Sequence, residues 1–213
     1  MADRGGPGLR EAKKQATRQQ ISDEATRLFL EQGFERTTIA EIAAAAGVAA
    51  KTVTNYFPYK EYLAFDQQEE FVGSLAAAVA SRSSGESPLA ALRRAFDAAI
   101  QGQDPVLGFS GAGFARMVTE SPTLTAQLRR LHDQRELALA EALAETGDGD
   151  RAEIEVRAAA AMLSAVHRVL FRRIQELTLE GLTAEAVATT VAVEAERAFD
   201  MLETVLGQVV VAP

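Results

Sequence analysis

Residues 37–63, TTIAEIAAAAGVAAKTVTNYFPYKEYL, constrain this chain more than any other stretch. Thr38-Ile39-Ala40-Glu41 has the form of a capping box, in which a Thr hydroxyl and a Glu carboxylate satisfy the free N–H groups of a helix start. Ile39, Ile42, Ala43 and Ala46 then fall on one helical stripe. Gly47 can take the left-handed conformation that ends such a helix. Val48 plugs the turn, and a second helix begins near Ala50. On it Val53 and Phe57 share one face, four residues apart. At 100° per residue Lys51 and Asn55 lie opposite Val53, with Thr52 and Thr54 on the flanks. Pro58 breaks the chain before a further helix carrying Lys60 and Leu63.

A short helix with an apolar back and a front of Lys, Thr, Thr and Asn suits the DNA major groove. Lys can donate to guanine, Asn can pair with adenine, and Thr methyls can touch thymine methyls. Helix, glycine turn, helix is also common in all-α proteins with a merely wet polar face, so the pattern alone leaves both readings open. Ile-Ala-x-x-Ala-Gly-Val, the Thr-Val of the next helix, Tyr56-Phe57 and Lys60-Glu61-x-Leu63 together resemble the TetR family of bacterial transcriptional regulators. The motif covers residues 14–63; the remainder is similar in length and helical character only. The resemblance implies an all-α fold: an N-terminal three-helix DNA-binding domain with a helix-turn-helix, and a C-terminal helical bundle for ligand binding and dimerisation. It implies phosphate contacts from Thr37 or Thr38, Tyr56 and Lys60, beside the reading residues Lys51, Thr52, Thr54 and Asn55. Two departures stand out. Ala49 and Tyr59 occupy positions where relatives often carry a capping side chain. Lys51 stands where glycine is frequent, so operator sequence does not transfer from relatives.

Net charge is −8, which looks wrong for a DNA binder until the chain is divided. Residues 1–62 carry +1 and residues 63–213 carry −9, so DNA attraction depends on a local basic surface and not on total charge. Arg4, Arg10, Lys13, Lys14 and Arg18 make the beginning of the chain basic. Residues 1–12 read as a flexible leader that either only solubilises or touches DNA. The domains follow: leader 1–12, helix-turn-helix 13–62, helical body 63–213. The chain has no cysteine, which excludes disulfides and thiolate metal sites. His132 and His167 fall on different predicted helices without HExxH spacing, so no metal or cofactor is expected. No GxGxxG follows a strand and no P-loop occurs; Gly108-Phe109-Ser110-Gly111 lacks the strand a nucleophile elbow needs. The reading is therefore not an enzyme. The polar start has no signal-peptide core, and no apolar run reaches the ~18 residues of a membrane helix. A cytoplasmic location is expected.

The body reads as helices 59–81, one from Pro88, a glycine-interrupted piece over 104–118, one from Ser121-Pro122, then 151–180 and 183–206. Gly147-Asp148-Gly149-Asp150 reads as a turn. Ala158, Ala161, Ala165 and Val169 form one stripe, and Val187, Val191, Ala195, Ala198, Leu202 and Val205 another. By resemblance these two helices make the four-helix interface of a homodimer. The glycine-interrupted segment reads as loosely packed. Phe96, Phe109, Phe114, Met117, Met162, His167 and Phe171 are the candidate walls of an effector cavity, with His167 and Arg168 as polar handles. The expected effector is small and mainly apolar, and the expected DNA partner is a double-stranded operator. The chain thus reads as a ligand-responsive dimeric regulator, most naturally a repressor; an activator of the same fold and an all-α scaffold are the alternatives.

Overall fold

The computed structural model describes residues 7–146 and 152–206, and these form helices and turns without a strand. The helices are α1 (Pro7–Gln32), α2 (Ile39–Ala45), α3 (Ala50–Tyr56), α4 (Glu61–Ala64), α5 (Gln68–Ala80) and α6 (Pro88–Gln101). After a short 3-10 turn (Pro105–Leu107) come α7 (Gly111–Glu120), α8 (Pro122–Thr146), α9 (Glu153–Leu179) and α10 (Ala184–Leu206). Residues 7–12 of the expected leader are helical; residues 1–6 and the turn at 147–150 lie outside the described residues.

The chain divides into two compact units, one of residues 1–66 with 117–125, the other of 67–116 with 126–213. In the first, Ile21, Ala25 and Phe29 of α1 are buried with Ile42, Ala43 and Ala46 of α2 and Val53 and Phe57 at α3. Gly33 and Gly47 take φ values of 87° and 64°, each ending a helix where a side chain would be strained. The capping box forms as the sequence implies: Glu41 N–H donates to the Thr38 hydroxyl, and Thr38 N–H donates to the Glu41 carboxylate at 2.8 Å.

The helix expected over 59–81 is broken into α4 and α5. Phe65 leaves the helical region at φ −114°, ψ 58°. The following Asp66 is tied to α1, accepting from the Ser22 hydroxyl at 2.6 Å on its carboxylate and from Arg18 at 3.3 Å on its carbonyl. The Arg18 bond gives the Asp66 carbonyl a partner outside any helix, and the Ser22 bond fixes its side chain.

In the second unit α10 packs on α9 and α6, and α6 on α5. Every third or fourth residue of α10 points inward: Val187, Val191, Ala195, Phe199, Leu202 and Leu206 are buried. That corrects the stripe assigned to the subunit contact. Val187, Val191, Ala195 and Leu202 form this chain's own core, and Ala198 is half-buried. The second correction concerns packing near the glycines. Gly108, at φ 118°, lies so close to α9 that a Cβ there would sit 3.2 Å from the Phe171 carbonyl oxygen. At Gly108 the segment is pressed against α9, whereas Gly111 has open space around it.

Helix α3 begins at Ala49 with the extended backbone of a cap (φ −75°, ψ 147°) but no side-chain hydrogen bond. Ala49→Ser supplies the missing acceptor and is expected to stabilise the first unit by about 1 kcal/mol in chemical denaturation.

Candidate DNA-reading face and effector core

Helix α3 is only seven residues long, so its position depends on what lies behind it. Val53 is fully buried and Phe57 nearly so. The Arg18 guanidinium lies over the Phe57 ring at 4.7 Å, and Gln20 donates to the Ala46 carbonyl at 3.0 Å, closing the end of α2. Lys51, Thr54 and Asn55 are exposed on the opposite side, and Thr52 and Tyr56 are half-exposed. The Thr54 hydroxyl donates back to the Lys51 carbonyl at 3.1 Å, which leaves its methyl group outward of a settled hydroxyl. The face carries donors, an amide and methyl groups together, the set that reads base edges.

The expected phosphate contacts divide. Thr38 is exposed at the start of α2, with its hydroxyl engaged by Glu41. Thr37 is a correction: it is 1% exposed, and its hydroxyl donates inward to the Gly33 carbonyl at 2.9 Å, so its side chain presents nothing to a phosphate. Lys60 is half-buried. Its ammonium donates to the Phe34 carbonyl at 2.9 Å and the Thr37 carbonyl at 3.1 Å, and stands 4.2 Å from the Phe34 ring centre. It braces the loop between α1 and α2, leaving one of three N–H donors for a phosphate. Arg18 is the residue that sequence reasoning misplaced. It counted there only as one of the basic residues at the start of the chain, yet it holds Phe57 and the Asp66 carbonyl. Its signal was its spacing, three residues before the buried Ile21 and one turn before Ser22.

Comparison with known proteins decides the family. Residues 21–66 match the model described as bacterial regulatory proteins, tetR family. Over 176 residues the chain is 34% identical to the HTH-type transcriptional regulator TcmR of Streptomyces glaucescens, a match spanning 78% of this chain and 76% of that protein. The chain belongs to the TetR family. It is a DNA-binding transcriptional regulator with an N-terminal helix-turn-helix domain and a helical C-terminal domain. Solved structures share the fold. NalD of Pseudomonas aeruginosa aligns with a TM-score of 0.56 at 21% identity, over 87% of this chain and 96% of its own. A TetR-family regulator of Streptomyces coelicolor aligns at 0.52 and 22%, over 93% and 99%. No helix among the described residues of this TetR-family chain is long and apolar enough to cross a membrane.

The candidate effector residues of the second unit are only partly brought together. Phe96 is buried with its ring 5.6 Å from His167 and 5.6 Å from Phe199, and His167 and Phe199 are 5.5 Å apart. Phe171 belongs to a neighbouring group, 5.8 Å from Phe71 and 5.3 Å from His132. Phe109 and Met162 are half-buried against the core, and Phe114 is half-buried on α7. Met117 is buried but falls in the first unit. Arg168 is corrected as a polar handle: its side chain is 41% exposed and faces Asp133 and Glu136 at 3.9 and 3.8 Å. The buried guanidinium is Arg135, 4% exposed and 4.6 Å from the Phe71 ring centre. Its position three residues after His132 on α8 was the available signal.

Burial drives the His167 pKa down to about 3, with the Arg135 charge adding to it. Burial likewise lowers His132 to about 4, assisted by Arg135, Arg168 and Arg172. Both imidazoles are neutral in the folded protein at neutral pH, whereas in the unfolded chain they gain protons near 6.5. The unfolded state therefore binds more protons below that value. Stability is full above pH 6.5 and is lost as pH falls toward the folded values.

Three outcomes follow from this geometry. Thermal melts between about pH 7.5 and 5 should show falling stability, and His167→Leu should flatten the slope. Asn55→Ala should change preference among operator variants by about 1–3 kcal/mol in competition gel shifts while leaving the melt unchanged. Lys60→Met should lower first-unit stability by about 1–3 kcal/mol, because two carbonyls lose a charged donor, and should reduce the salt slope of DNA binding by no more than about one unit.

Proposed function

We propose that this TetR-family chain is a cytoplasmic homodimeric repressor, without a catalytic step, that an effector releases from a two-fold DNA operator. The observation that carries the reading is the exposed polar face of α3, backed by the buried Val53 and Phe57. Lys51, Thr52, Thr54, Asn55 and Tyr56 read or approach the operator. Thr38 and the free donor of Lys60 approach the phosphates on either side.

Dimerisation supplies two such faces. The residues that favour a subunit contact are the apolar side chains this chain leaves outside: Val169 is 54% exposed on α9, and Val193, Met201 and Val205 are exposed on α10. Ala158 and Ala165 are exposed on the same side of α9 as Val169, and Ala161 is half-buried there. Small side chains permit close helix approach, and an isologous contact repeats each of them.

The effector enters the second unit among Phe96, His167, Phe171 and their neighbours. Helix α7 is the route by which its presence reaches the DNA-reading unit, since α7 begins in the second unit and ends in the first. Just beyond its end Ser121 donates to the Glu35 carboxylate at 2.6 Å, within the first unit. That bond is the main cause of the lowered Glu35 pKa. A small displacement of α7 is thereby passed to the loop ahead of α2. A dimer needs half-sites about one turn apart, roughly 34–36 Å, so a shift of a few ångströms in one unit weakens binding.

Selection from randomised DNA followed by gel shift tests the reading; a two-fold symmetric sequence is expected, and recovery of no preferred sequence would refute it. Val169→Glu and Met201→Glu should each give folded monomers by light scattering, with operator affinity reduced at least tenfold. Dimers that persist in both variants would move the contact elsewhere.

A further inference from the structure

The second unit buries more unpartnered polar groups than its fold can use. Arg135 Nε, both ring nitrogens of His167, Ser164 Oγ, Gln175 Nε2 and Ser110 Oγ are buried without a hydrogen-bond partner. Arg135, His167, Ser164 and Gln175 are each less than 9% exposed. Such atoms cost about 1–3 kcal/mol apiece in protein interiors, more for a charge, and native proteins contain few. Ser164 and His167 stand one turn apart on the inward side of α9, with Phe171 one turn further and Gln175 another turn on, about 12 Å beyond His167 along the axis. His132 and Arg135 stand one turn apart on α8, and His132 meets Phe171. Ser110 follows Gly108, which is pressed against α9 at Phe171. Phe96 and Phe199 flank His167, and Phe71 and Phe171 flank His132, with Phe71 also facing Arg135.

The chemistry of the missing partner can be read from these atoms. A guanidinium Nε and an amide Nε2 only donate, so both require an acceptor. Arg135 forms no ion pair among the described residues; Asp104 opposes its charge from a distance while also accepting from Val106 N–H. Serine hydroxyls and neutral imidazoles donate or accept as needed. The apolar surroundings are aromatic rings, suited to a flat body.

We propose that the effector is an aromatic oxyanion, a planar ring system bearing a carboxylate or acidic phenolate that Arg135 neutralises while His167, Ser164 and Ser110 bind its further oxygens. The inference rests on the reading of this unit as the effector-sensing one, and it replaces the mainly apolar ligand expected from sequence. Arg135 persists in a costly place because it serves recognition and not the fold.

The test uses the full chain with 3-hydroxy-2-naphthoate and its methyl ester as probes, by calorimetry and by operator release. The wild type should bind the carboxylate at least tenfold more tightly than the ester. Arg135→Met, which fills the same space without a charge, should melt at an equal or higher temperature, keep operator affinity, and bind acid and ester within twofold. His167→Leu should also melt no lower than wild type while weakening the carboxylate. An ester that binds the wild type as well as the acid would overturn the oxyanion proposal while leaving the effector reading intact. Binding of neither probe would overturn both. An Arg135→Met protein that melts several degrees lower and still prefers the acid would make Arg135 a structural cation and overturn the assignment.

Discussion

A seven-residue helix has no stability of its own in water, because so few backbone bonds do not offset the cost of starting it. Helix α3 also lacks a side-chain cap. Its existence depends on Val53 and Phe57 being held from behind, by α2, which packs on α3, and by Arg18 of α1. Arg18 covers the Phe57 ring and reaches the Asp66 carbonyl, and Ser22 fixes the Asp66 carboxylate. Lys60 ties the loop ahead of α2 through the Phe34 and Thr37 carbonyls. The reading face is rigid only because cations and hydroxyls usually found in solvent are spent inside the first unit. Specific recognition needs that rigidity, since base-edge hydrogen bonds tolerate little misplacement.

The parts legible in the sequence were those governed by local chemistry. The capping box at Thr38 and Glu41, the left-handed glycine at 47, and the buried pair Val53 and Phe57 each follow from residues a few positions apart. The parts that misled depended on partners far along the chain. The break at Phe65 arises from bonds between Asp66 and α1, which no periodicity over 59–81 reveals. The α10 stripe is a similar case. An apolar stripe says that a helix buries one face but not against what, and Val187, Val191, Ala195 and Leu202 are taken by this chain's own core. The apolar residues left exposed on α10 are Val193, Met201 and Val205, interleaved with Glu196, Arg197 and Glu203, so their pattern is weaker in sequence. Thr37 and Arg168 failed for one reason. Side-chain direction decides whether a polar residue is available, and composition is silent on direction.

The second unit shows the other side of the same economy. A core made only of its leucines, valines and phenylalanines would be more stable than one holding Arg135, His167, Ser164 and Gln175 without partners. Regulators need a ligand-dependent difference between states, and a ligand shifts an equilibrium only by its unequal affinity for them. On the proposed reading, polar groups left unsatisfied until an effector arrives would provide that inequality.

The measurement that bears most directly on this account is a hydroxyl-radical footprint on a selected operator, with the protein's mass on DNA determined in parallel. Two copies of the chain should protect two patches roughly one helical turn apart, about 34–36 Å, with the reading helices in successive major grooves. Protection should disappear when a saturating effector is added. A single protected patch bound by one chain, or a footprint indifferent to Asn55→Ala, would contradict the claim that paired α3 helices read the DNA.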